Sequence, residues 1–258
     1  MALSRELPHS AHQVSSEVTP DMKTSPSLDF TRFDALTFDC YGTLIDWETG
    51  ILSALRPLLE AHGVVDQNDD DLLERHAQLE AEAEQGSFRR YRAILADVAR
   101  GFGQDFGFVP TNAQAEKFAA AVVVWPPFTD STRALRALET RYRLAIVSNV
   151  DDDLFAGSAS QLGIDFSEVV TAQQVGSYKP ARAHFDEVLR RLDLPRARVL
   201  HVAQSLYHDI APARELGFTC VWVNRRDGRP GGGATKPATA QPALEVPDLR
   251  TLVEQMGL

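Results

Sequence analysis

The sequence predicts an α/β protein with a doubly wound, Rossmann-like parallel sheet and an all-helical domain inserted after the first strand. Short segments that are almost continuously apolar and rich in Val, Ile and Leu are typical of strands buried on both faces of a parallel sheet. Helical patterns alternate with these segments, as in βαβ units, and one long helical stretch interrupts the alternation. The predicted strands span residues 33–39, 144–148, 168–171, 199–203 and 218–223.

The helices between the later strands are marked by residues that begin or end helices. Asp130 is placed to cap the first of them, Pro180 to occupy the first turn of the third, and Gly217 to close the fourth. The Gly- and Pro-rich segment 227–247 predicts a long surface loop. The predicted helices span residues 130–142, 180–193 and 208–216, and a further one follows residues 151–153 and ends near residue 163.

The stretch that interrupts the alternation contains helical patterns and no convincing strand. These patterns cover residues 48–62, 69–84, 88–102 and 113–122. We therefore expect a core domain over residues 29–45 and 128–258, with a helical cap domain over residues 46–127. Residues 1–28 are rich in Ser, Pro, His and Thr and predict a disordered tail.

Composition narrows the class of protein. The chain has 258 residues, of which 44% are apolar, and a net charge of −10, so a packed core is expected and a nucleic-acid partner is not. No apolar run is long enough to cross a bilayer, so no membrane partner is expected either. Two widely spaced cysteines, Cys40 and Cys220, form no disulfide framework, which fits a cytoplasmic protein.

Polar residues follow four of the predicted strands, where an open parallel sheet binds its ligands. Asp39 ends the first strand and Ser148–Asn149 the second, while Lys179 and Asp209 follow later strands. Because the carboxyl ends of parallel strands share one edge of the sheet, we expect these groups to converge on a single crevice.

These segments carry a resemblance to a known family. FDCYGTL, then SN, then SYKP and then HD resemble the four motifs of the haloacid dehalogenase superfamily, over residues 33–258. The DxYGT form is similar to that of the type II 2-haloacid dehalogenases. The resemblance implies a hydrolase that needs no cofactor and converts a small anionic substrate, a 2-haloalkanoic acid, to a 2-hydroxy acid through an aspartyl ester. It also implies a homodimer as a possible state, since many members form one.

The residue two positions after Asp39 separates two chemistries. Phosphatases of the superfamily carry there a second Asp that protonates the leaving group and later activates water. This chain has Tyr41 at that position, which cannot act as a carboxylic acid, whereas a halide leaves as a stable anion and needs no proton. Carbon–halogen cleavage is therefore favoured over phosphate-ester cleavage.

The resemblance also implies roles for individual residues. Asp39 would attack the halogen-bearing carbon, Lys179 would keep Asp39 ionised, and Asp209 would orient Lys179 or help to activate water. Arg75, in the segment ERHAQLE, would clamp the substrate carboxylate from the cap. The other predicted substrate-binding residues, some of which could instead bond to the nucleophile, are Tyr41, Thr43, Ser148 and Asn149.

This sequence also departs from the family pattern. Phe185 stands where the family has a catalytic Tyr, and Gln204 and Leu206 replace the Ser and Asn of its last motif. Two other readings therefore stay open. One is a Mg²⁺-dependent phosphatase with Asp39, Asp209 and the Tyr41 carbonyl as ligands, and the other is a catalytically silent binding protein.

Residues 151–153 are three consecutive aspartates at the start of a predicted helix, and His208 lies beside Asp209. Acidic residues at the start of a helix stabilise its dipole, so we expect that role for the three aspartates rather than a metal site. His208 favours a site-lining or structural role over metal ligation.

Overall fold

The computed structural model describes residues 28–229 and 233–258, so the predicted tail, except for Leu28, lies outside the described residues. All strand pairs of its six-stranded sheet are parallel, in the order β3-β2-β1-β4-β5-β6. The strands are β1 (Ala35–Phe38), β2 (Arg143–Ser148), β3 (Glu168–Thr171), β4 (Val199–Ala203), β5 (Thr219–Val223) and β6 (Leu244–Val246). The predicted fold class is confirmed. The sixth strand corrects the prediction of an irregular loop over residues 227–247, because a three-residue strand in a Gly- and Pro-rich segment has too short an apolar pattern to be recognised.

Helices cover both faces of the sheet. Alternate residues of β1 belong to different cores: Leu36 and Phe38 pack in one apolar cluster, and Ala35 packs in the other. This alternation is what a sheet with both faces covered requires. The helices of the described residues are α1 (Trp47–Glu60), α2 (Asp69–Ala83), α3 (Tyr91–Phe106), α4 (Asn112–Ala120), α5 (Ser131–Leu138), α6 (Asp152–Leu162), α7 (Ala172–Val175), α8 (Ala183–Leu192), α9 (Ala211–Glu215) and α10 (Leu249–Gln255). None of them is long and apolar enough to span a membrane.

Helices α1 to α4 all lie between β1 and β2 in the chain, as expected for the helical cap. The chain leaves and re-enters the core at adjacent points, since Ile45 forms an antiparallel bridge with Pro127 and the Asp46 N–H donates to the Pro126 carbonyl at 2.8 Å. The exact domain boundaries stay a prediction.

Several predicted helix ends are wrong in detail. Pro180 follows a cis peptide bond and lies in a turn, and α8 begins only at Ala183. The predicted 208–216 helix starts as a π-helical turn over Leu206–Ile210 that leads into α9. Asp130 makes no capping bond to its own helix α5, because its carboxylate accepts hydrogen bonds from Arg225 and, at 2.7 Å, from the Leu249 N–H at the start of α10.

The aspartates at 151–153 act between core and cap as well as within one helix. Asp152 and Asp153 lie in the first turn of α6, as expected for stabilisation of its dipole. Asp151 is buried and accepts hydrogen bonds from the backbone N–H groups of Tyr91 and Arg92, both at 3.0 Å, at the start of α3. It therefore caps a helix of the cap rather than its own. The described residues contain no cluster of acidic, histidine or cysteine side chains able to hold a metal ion.

Candidate active site

A small cavity lies at the carboxyl edge of the sheet, under the cap. Its volume is about 30 Å³, and a wider cleft of about 330 Å³ adjoins it and shares Glu84, Lys179 and His208. The core lines the cavity with Asp39, Tyr41, Ser148, Asn149, Lys179, Ser205, His208 and Asp209, and the cap lines it with Trp47, Glu80, Glu84 and Tyr91. The structure thus brings together all the predicted site residues except Thr43, which lies just behind the cavity wall, and Arg75.

A buried ammonium group holds two carboxylates at the centre of the site. Lys179 is 2% exposed, and its Nζ donates to Asp39 Oδ1 at 2.9 Å, to Asp209 Oδ1 at 2.6 Å and to the Val147 carbonyl at 2.8 Å. An ammonium group has three N–H donors, so all of them are used. Burial works to lower the pKa of Lys179, but Asp209 and Asp39 outweigh it and raise that pKa, so the ammonium form persists.

Thr43 aims the second oxygen of Asp39. Its hydroxyl donates to Asp39 Oδ2 at 2.8 Å and accepts from the Gln204 N–H at 2.9 Å. Gly42 allows this turn because its φ is +88° and a Cβ there would lie 2.9 Å from the Trp47 indole nitrogen. Burial raises the pKa of Asp39, and the Lys179 ammonium opposes that rise. Thr43 could have bonded to the nucleophile or to the substrate. In the structure its hydroxyl bonds to Asp39, and the residue does not line the cavity.

Asp209 has a second buried partner that sequence reasoning missed. His201 Nε2 lies 3.2 Å from Asp209 Oδ1, and His201 Nδ1 lies 3.0 Å from the Thr37 hydroxyl. Although burial opposes it, the charge of Lys179 and the hydrogen bond from His201 lower the pKa of Asp209 to about 2. The only signal in the sequence was a lone polar residue inside the apolar run VLHVA. Asp209 Oδ2 is buried and has no hydrogen-bond partner among the described residues.

Ser148 and Asn149, which were predicted together, make different contacts. Asn149 Oδ1 accepts from the Lys179 backbone N–H at 2.7 Å, and its amide donates to the Lys179 carbonyl at 3.2 Å. Asn149 therefore positions the segment that carries Lys179. Ser148 is fully buried, lines the cavity, and has a hydroxyl with no hydrogen-bond partner among the described residues.

Tyr41 lines the cavity but is anchored away from Asp39. Its hydroxyl lies 3.0 Å from Ser158 Oγ, and its ring meets Trp125 edge to face with 5.7 Å between centroids. Burial raises the pKa of Tyr41 well above its usual value, so the phenol stays protonated.

The prediction that Arg75 clamps a substrate carboxylate is not supported by its position. The Arg75 guanidinium binds Asp105 through two hydrogen bonds of 2.7 and 2.9 Å and is absent from the cavity wall. The physical reason is helix geometry. Glu84, which does line the cavity, follows Arg75 on the same helical segment by nine residues, or two and a half turns, so the two side chains lie on opposite faces.

The family departures are accommodated by local packing. Phe185 packs edge to face on His201, with 5.3 Å between ring centroids, and does not line the cavity. Ser205 and His208 present polar groups to the cavity instead of Gln204 and Leu206, and the Ser205 hydroxyl lies 3.3 Å from His208 Nδ1. Burial lowers the pKa of His208 to about 4, so its imidazole is neutral near pH 7.

Two carboxyl groups of the cap face the site, and neither was singled out from the sequence. Glu80 is buried and accepts from the Tyr91 hydroxyl at 2.6 Å, and burial raises its pKa to about 7. Glu84 lies one turn further along, and burial together with the charge of Glu80 raises its pKa to about 9. A spacing of four residues puts Glu80 and Glu84 on one face of the helix. In the sequence this face has the pattern of an exposed acidic surface, so it gave no sign of a cavity wall.

A magnesium ion fits this arrangement poorly. Asp39 and Asp209, which would be its carboxylate ligands, are both bound by the Lys179 ammonium, which fills the space between them. Residues 28–229 and 233–258 contain no group of three or more acidic, histidine or cysteine side chains arranged to hold a metal ion.

Comparisons with known proteins identify the family to which this sequence is similar. A family model described as haloacid dehalogenase-like hydrolase matches residues 33–217. The (S)-2-haloacid dehalogenase of Pseudomonas fluorescens is 23% identical over 197 residues, which are 74% of this chain and 84% of that protein. The glyceraldehyde 3-phosphate phosphatase of Methanothermobacter thermautotrophicus is 35% identical over 101 residues, but these are 38% of this chain and 45% of that protein.

Among solved structures, the L-2-haloacid dehalogenase from Xanthobacter autotrophicus matches with a TM-score of 0.73 at 19% identity, covering 87% of this chain and 98% of that one. The fold is thus shared over nearly the whole of that relative. With its motifs on one cavity and the family model covering most of its length, the chain belongs to the haloacid dehalogenase-like hydrolases, and within them it resembles the 2-haloacid dehalogenases.

Proposed function

We propose that this hydrolase cleaves the carbon–halogen bond of a small 2-halo compound through an ester on Asp39 and releases halide and the 2-hydroxy product. The observation that carries the proposal is the environment of Asp39. Its two oxygens are bound by Lys179 and Thr43, while the position that supplies a carboxylic acid in phosphatases holds Tyr41, tied to Ser158. The named activities of the (S)-2-haloacid dehalogenases support the same reaction.

In the first step an Asp39 oxygen attacks the halogen-bearing carbon. The carbon–oxygen bond forms as the carbon–halogen bond breaks, and the halide leaves with the bonding electron pair. No proton is needed, so a site without a general acid beside the nucleophile suffices. Lys179 contributes by keeping Asp39 ionised although it is buried.

In the second step water attacks the ester carbonyl carbon, which restores the Asp39 carboxylate and frees the hydroxyl product. The overall change consumes one water and releases one halide and one proton. Asp209 Oδ2, buried and without a hydrogen-bond partner among the described residues, is available to accept a hydrogen bond from that water. We assign Asp209 this role together with the positioning of Lys179.

Phosphate-ester hydrolysis is the second candidate. Phosphatases occur among the relatives, and Asp209 Oδ2 is an open acceptor beside Asp39. Tyr41 counts against it, because an alkoxide leaving group needs a proton that a tyrosine anchored on Ser158 is poorly placed to give.

One experiment tests the reaction and its intermediate together. The protein is incubated with chloro-, bromo- and fluoro-substituted 2-halo compounds and, in parallel, with phosphate esters, each with Mg²⁺ or with EDTA. We expect halide release that EDTA does not abolish. Turnover in ¹⁸O-labelled water should place the label in the peptide containing Asp39, because water enters the ester carbonyl. Phosphate release that depends on Mg²⁺, without halide release, would establish the second candidate instead.

The Asp39→Asn variant is the matched control. The change is nearly isosteric and keeps an oxygen for Lys179, so we expect the fold to persist and turnover to fall by several orders of magnitude. Activity like that of the unmodified protein, measured before any deamidation, would exclude Asp39 as the nucleophile.

A further inference from the structure

A row of three buried polar side chains, Thr37, His201 and Asp209, runs from the interior of the sheet to the cavity. Thr37 on β1 and His201 on β4 are register partners on neighbouring parallel strands, and both are buried. The His201 ring joins the ends of the row, with its Nδ1 3.0 Å from the Thr37 hydroxyl and its Nε2 3.2 Å from Asp209 Oδ1. Phe185 of α8 packs edge to face against this ring. Thr37 and His201 do not line the cavity, so they can affect the reaction only through Asp209.

The proton positions in this row follow from the chemistry of its two ends. Although burial opposes it, Lys179 and His201 lower the pKa of Asp209 to about 2, so its carboxylate is ionised near neutral pH and can only accept hydrogen bonds. His201 Nε2 must therefore carry a proton. In the neutral ring Nδ1 is then the acceptor, and it receives the hydrogen bond of the Thr37 hydroxyl. Thr37 thus selects the tautomer in which His201 donates to Asp209.

The two oxygens of Asp209 are bound unequally. Oδ1 accepts from Lys179 Nζ at 2.6 Å and from His201 Nε2, whereas Oδ2 is buried and has no hydrogen-bond partner within the part of the chain that the structure describes. Two donors on one oxygen restrict the rotation of the carboxylate about its Cβ–Cγ bond more than one donor does. Because Asp209 lines the cavity, the oxygen that is left open is the one available to a water molecule there.

We propose that His201, with its tautomer set by Thr37, is a positioning residue for hydrolysis of the Asp39 ester and holds Asp209 so that Oδ2 accepts a hydrogen bond from the attacking water. The proposal rests on the proposed dehalogenation and concerns its second step. In that step the water oxygen bonds to the ester carbonyl carbon, and the bond from that carbon to the product oxygen breaks. One proton of the water goes to the product oxygen and the other to solvent, and Asp39 regains its carboxylate.

The two steps should respond differently to the loss of His201. Attack by Asp39 depends on the bonds that Lys179 and Thr43 make to its two oxygens, and His201→Phe removes neither of them. Hydrolysis of the ester depends on Asp209 Oδ2, which loses its fixed orientation in that variant. We expect His201→Phe to slow ester hydrolysis about 10- to 100-fold, as the loss of one hydrogen bond to a charged group does, and to leave the rate of the first halide release unchanged.

Rapid-quench turnover of 2-chloropropionate measures the two steps separately. We expect His201→Phe to release halide in a burst and then to turn over slowly, with the peptide containing Asp39 recovered as its ester by mass spectrometry. His201→Gln, whose amide nitrogen can take the place of Nε2, should recover much of the hydrolysis rate, and Thr37→Val should slow the same step less than His201→Phe does. His76→Phe is the matched control and should leave both steps unchanged, because His76 is a fully buried histidine of α2 whose ring has no hydrogen-bond partner among the described residues.

Two kinetic results would overturn the proposal: slowing of both steps by the same factor, or a His201→Gln variant no faster than His201→Phe. Either would indicate a structural role alone. If His201→Phe does not fold, as judged by urea denaturation, Thr37→Val and His201→Gln carry the comparison. ¹⁵N NMR of the histidine rings tests the row without any reaction, since an unprotonated Nε2 of His201 would overturn the proposal even where halide is released. Absence of halide release from the unmodified protein would reject the dehalogenation and with it the role in ester hydrolysis, whereas a protonated Nε2 would still establish the bond from His201 to Asp209.

Discussion

Replacing Lys179 by Met tests whether the buried ammonium holds the site together. The change keeps a side chain of similar length but leaves Asp39 and Asp209 facing each other without a cation. Breaking a buried ion pair by removing one partner costs about 3–5 kcal/mol, since the remaining charge stays buried. The pKa of Asp209, about 2 against its usual 3.8, corresponds to about 2 kcal/mol of stability, to which Lys179 and His201 both contribute against the effect of burial.

The sign of the pH dependence follows from these shifts. In the unmodified protein the lowered pKa of Asp209 contributes stability above pH 3.8 that is lost only as the pH falls toward 2. Without Lys179, burial should raise the pKa values of Asp39 and Asp209 above those of the unfolded chain. The variant then loses stability as the pH rises, so its deficit relative to the unmodified protein should be larger at pH 8 than at pH 5.

The assay is urea denaturation at pH 5 and pH 8, with halide release measured at both. We expect turnover to be lost at both pH values, since a protonated Asp39 is not a nucleophile. Adding Asp39→Asn to Lys179→Met should restore part of the stability, because it removes one of the two unpaired carboxylates. Lys117→Met, at an exposed lysine of α4, is the control and should change stability little. Equal deficits at the two pH values, or strictly additive effects in the double variant, would refute the reasoning.

Three further predictions concern the cap. Arg75→Ala should leave the kinetics of halide release unchanged for 2-chloropropionate and for 2-chloropropionamide. It should lower the free energy of unfolding in urea by less than about 1 kcal/mol, since the ion pair of Arg75 with Asp105 is partly exposed. A loss of activity confined to 2-chloropropionate would restore Arg75 as a carboxylate clamp. Burial raises the pKa of Glu80 from 4.5 to about 7, so this carboxyl lowers the free energy of unfolding as the pH rises from 4.5 through 7. Glu80→Gln should remove about 3 kcal/mol of that decline, which is measured as the free energy of unfolding against pH. Gly157→Ala should destabilise the protein by about 1–3 kcal/mol, because the added Cβ would lie 2.8 Å from Val123 Cα; a thermal melt like that of the unmodified protein would mean that this packing is looser.

The sequence by itself determined the sheet core and the centre of the site. Strands buried on both faces must be continuously apolar, so β1 to β5 were visible as local patterns. Because the strands are parallel, the residues that follow them share one edge, which predicts that Asp39, Lys179 and Asp209 lie together. These features depend on the chain direction and on short segments, which a sequence records directly.

Only the tertiary structure decided which face of each helix meets the site. Arg75 and Glu84 belong to one helical stretch and carry equally polar side chains, yet the packing of α2 against α1 and α3 turns Glu84 to the cavity and Arg75 to Asp105 of α3. His201 became a partner of Asp209 because the π-helical turn Leu206–Ile210, which follows β4, places the Asp209 carboxylate next to a side chain of that strand. Asp151 became the cap of α3 because the insert docks there. Each depends on how separate elements pack together, and the local pattern of a polar surface residue is the same whether it faces water or a substrate.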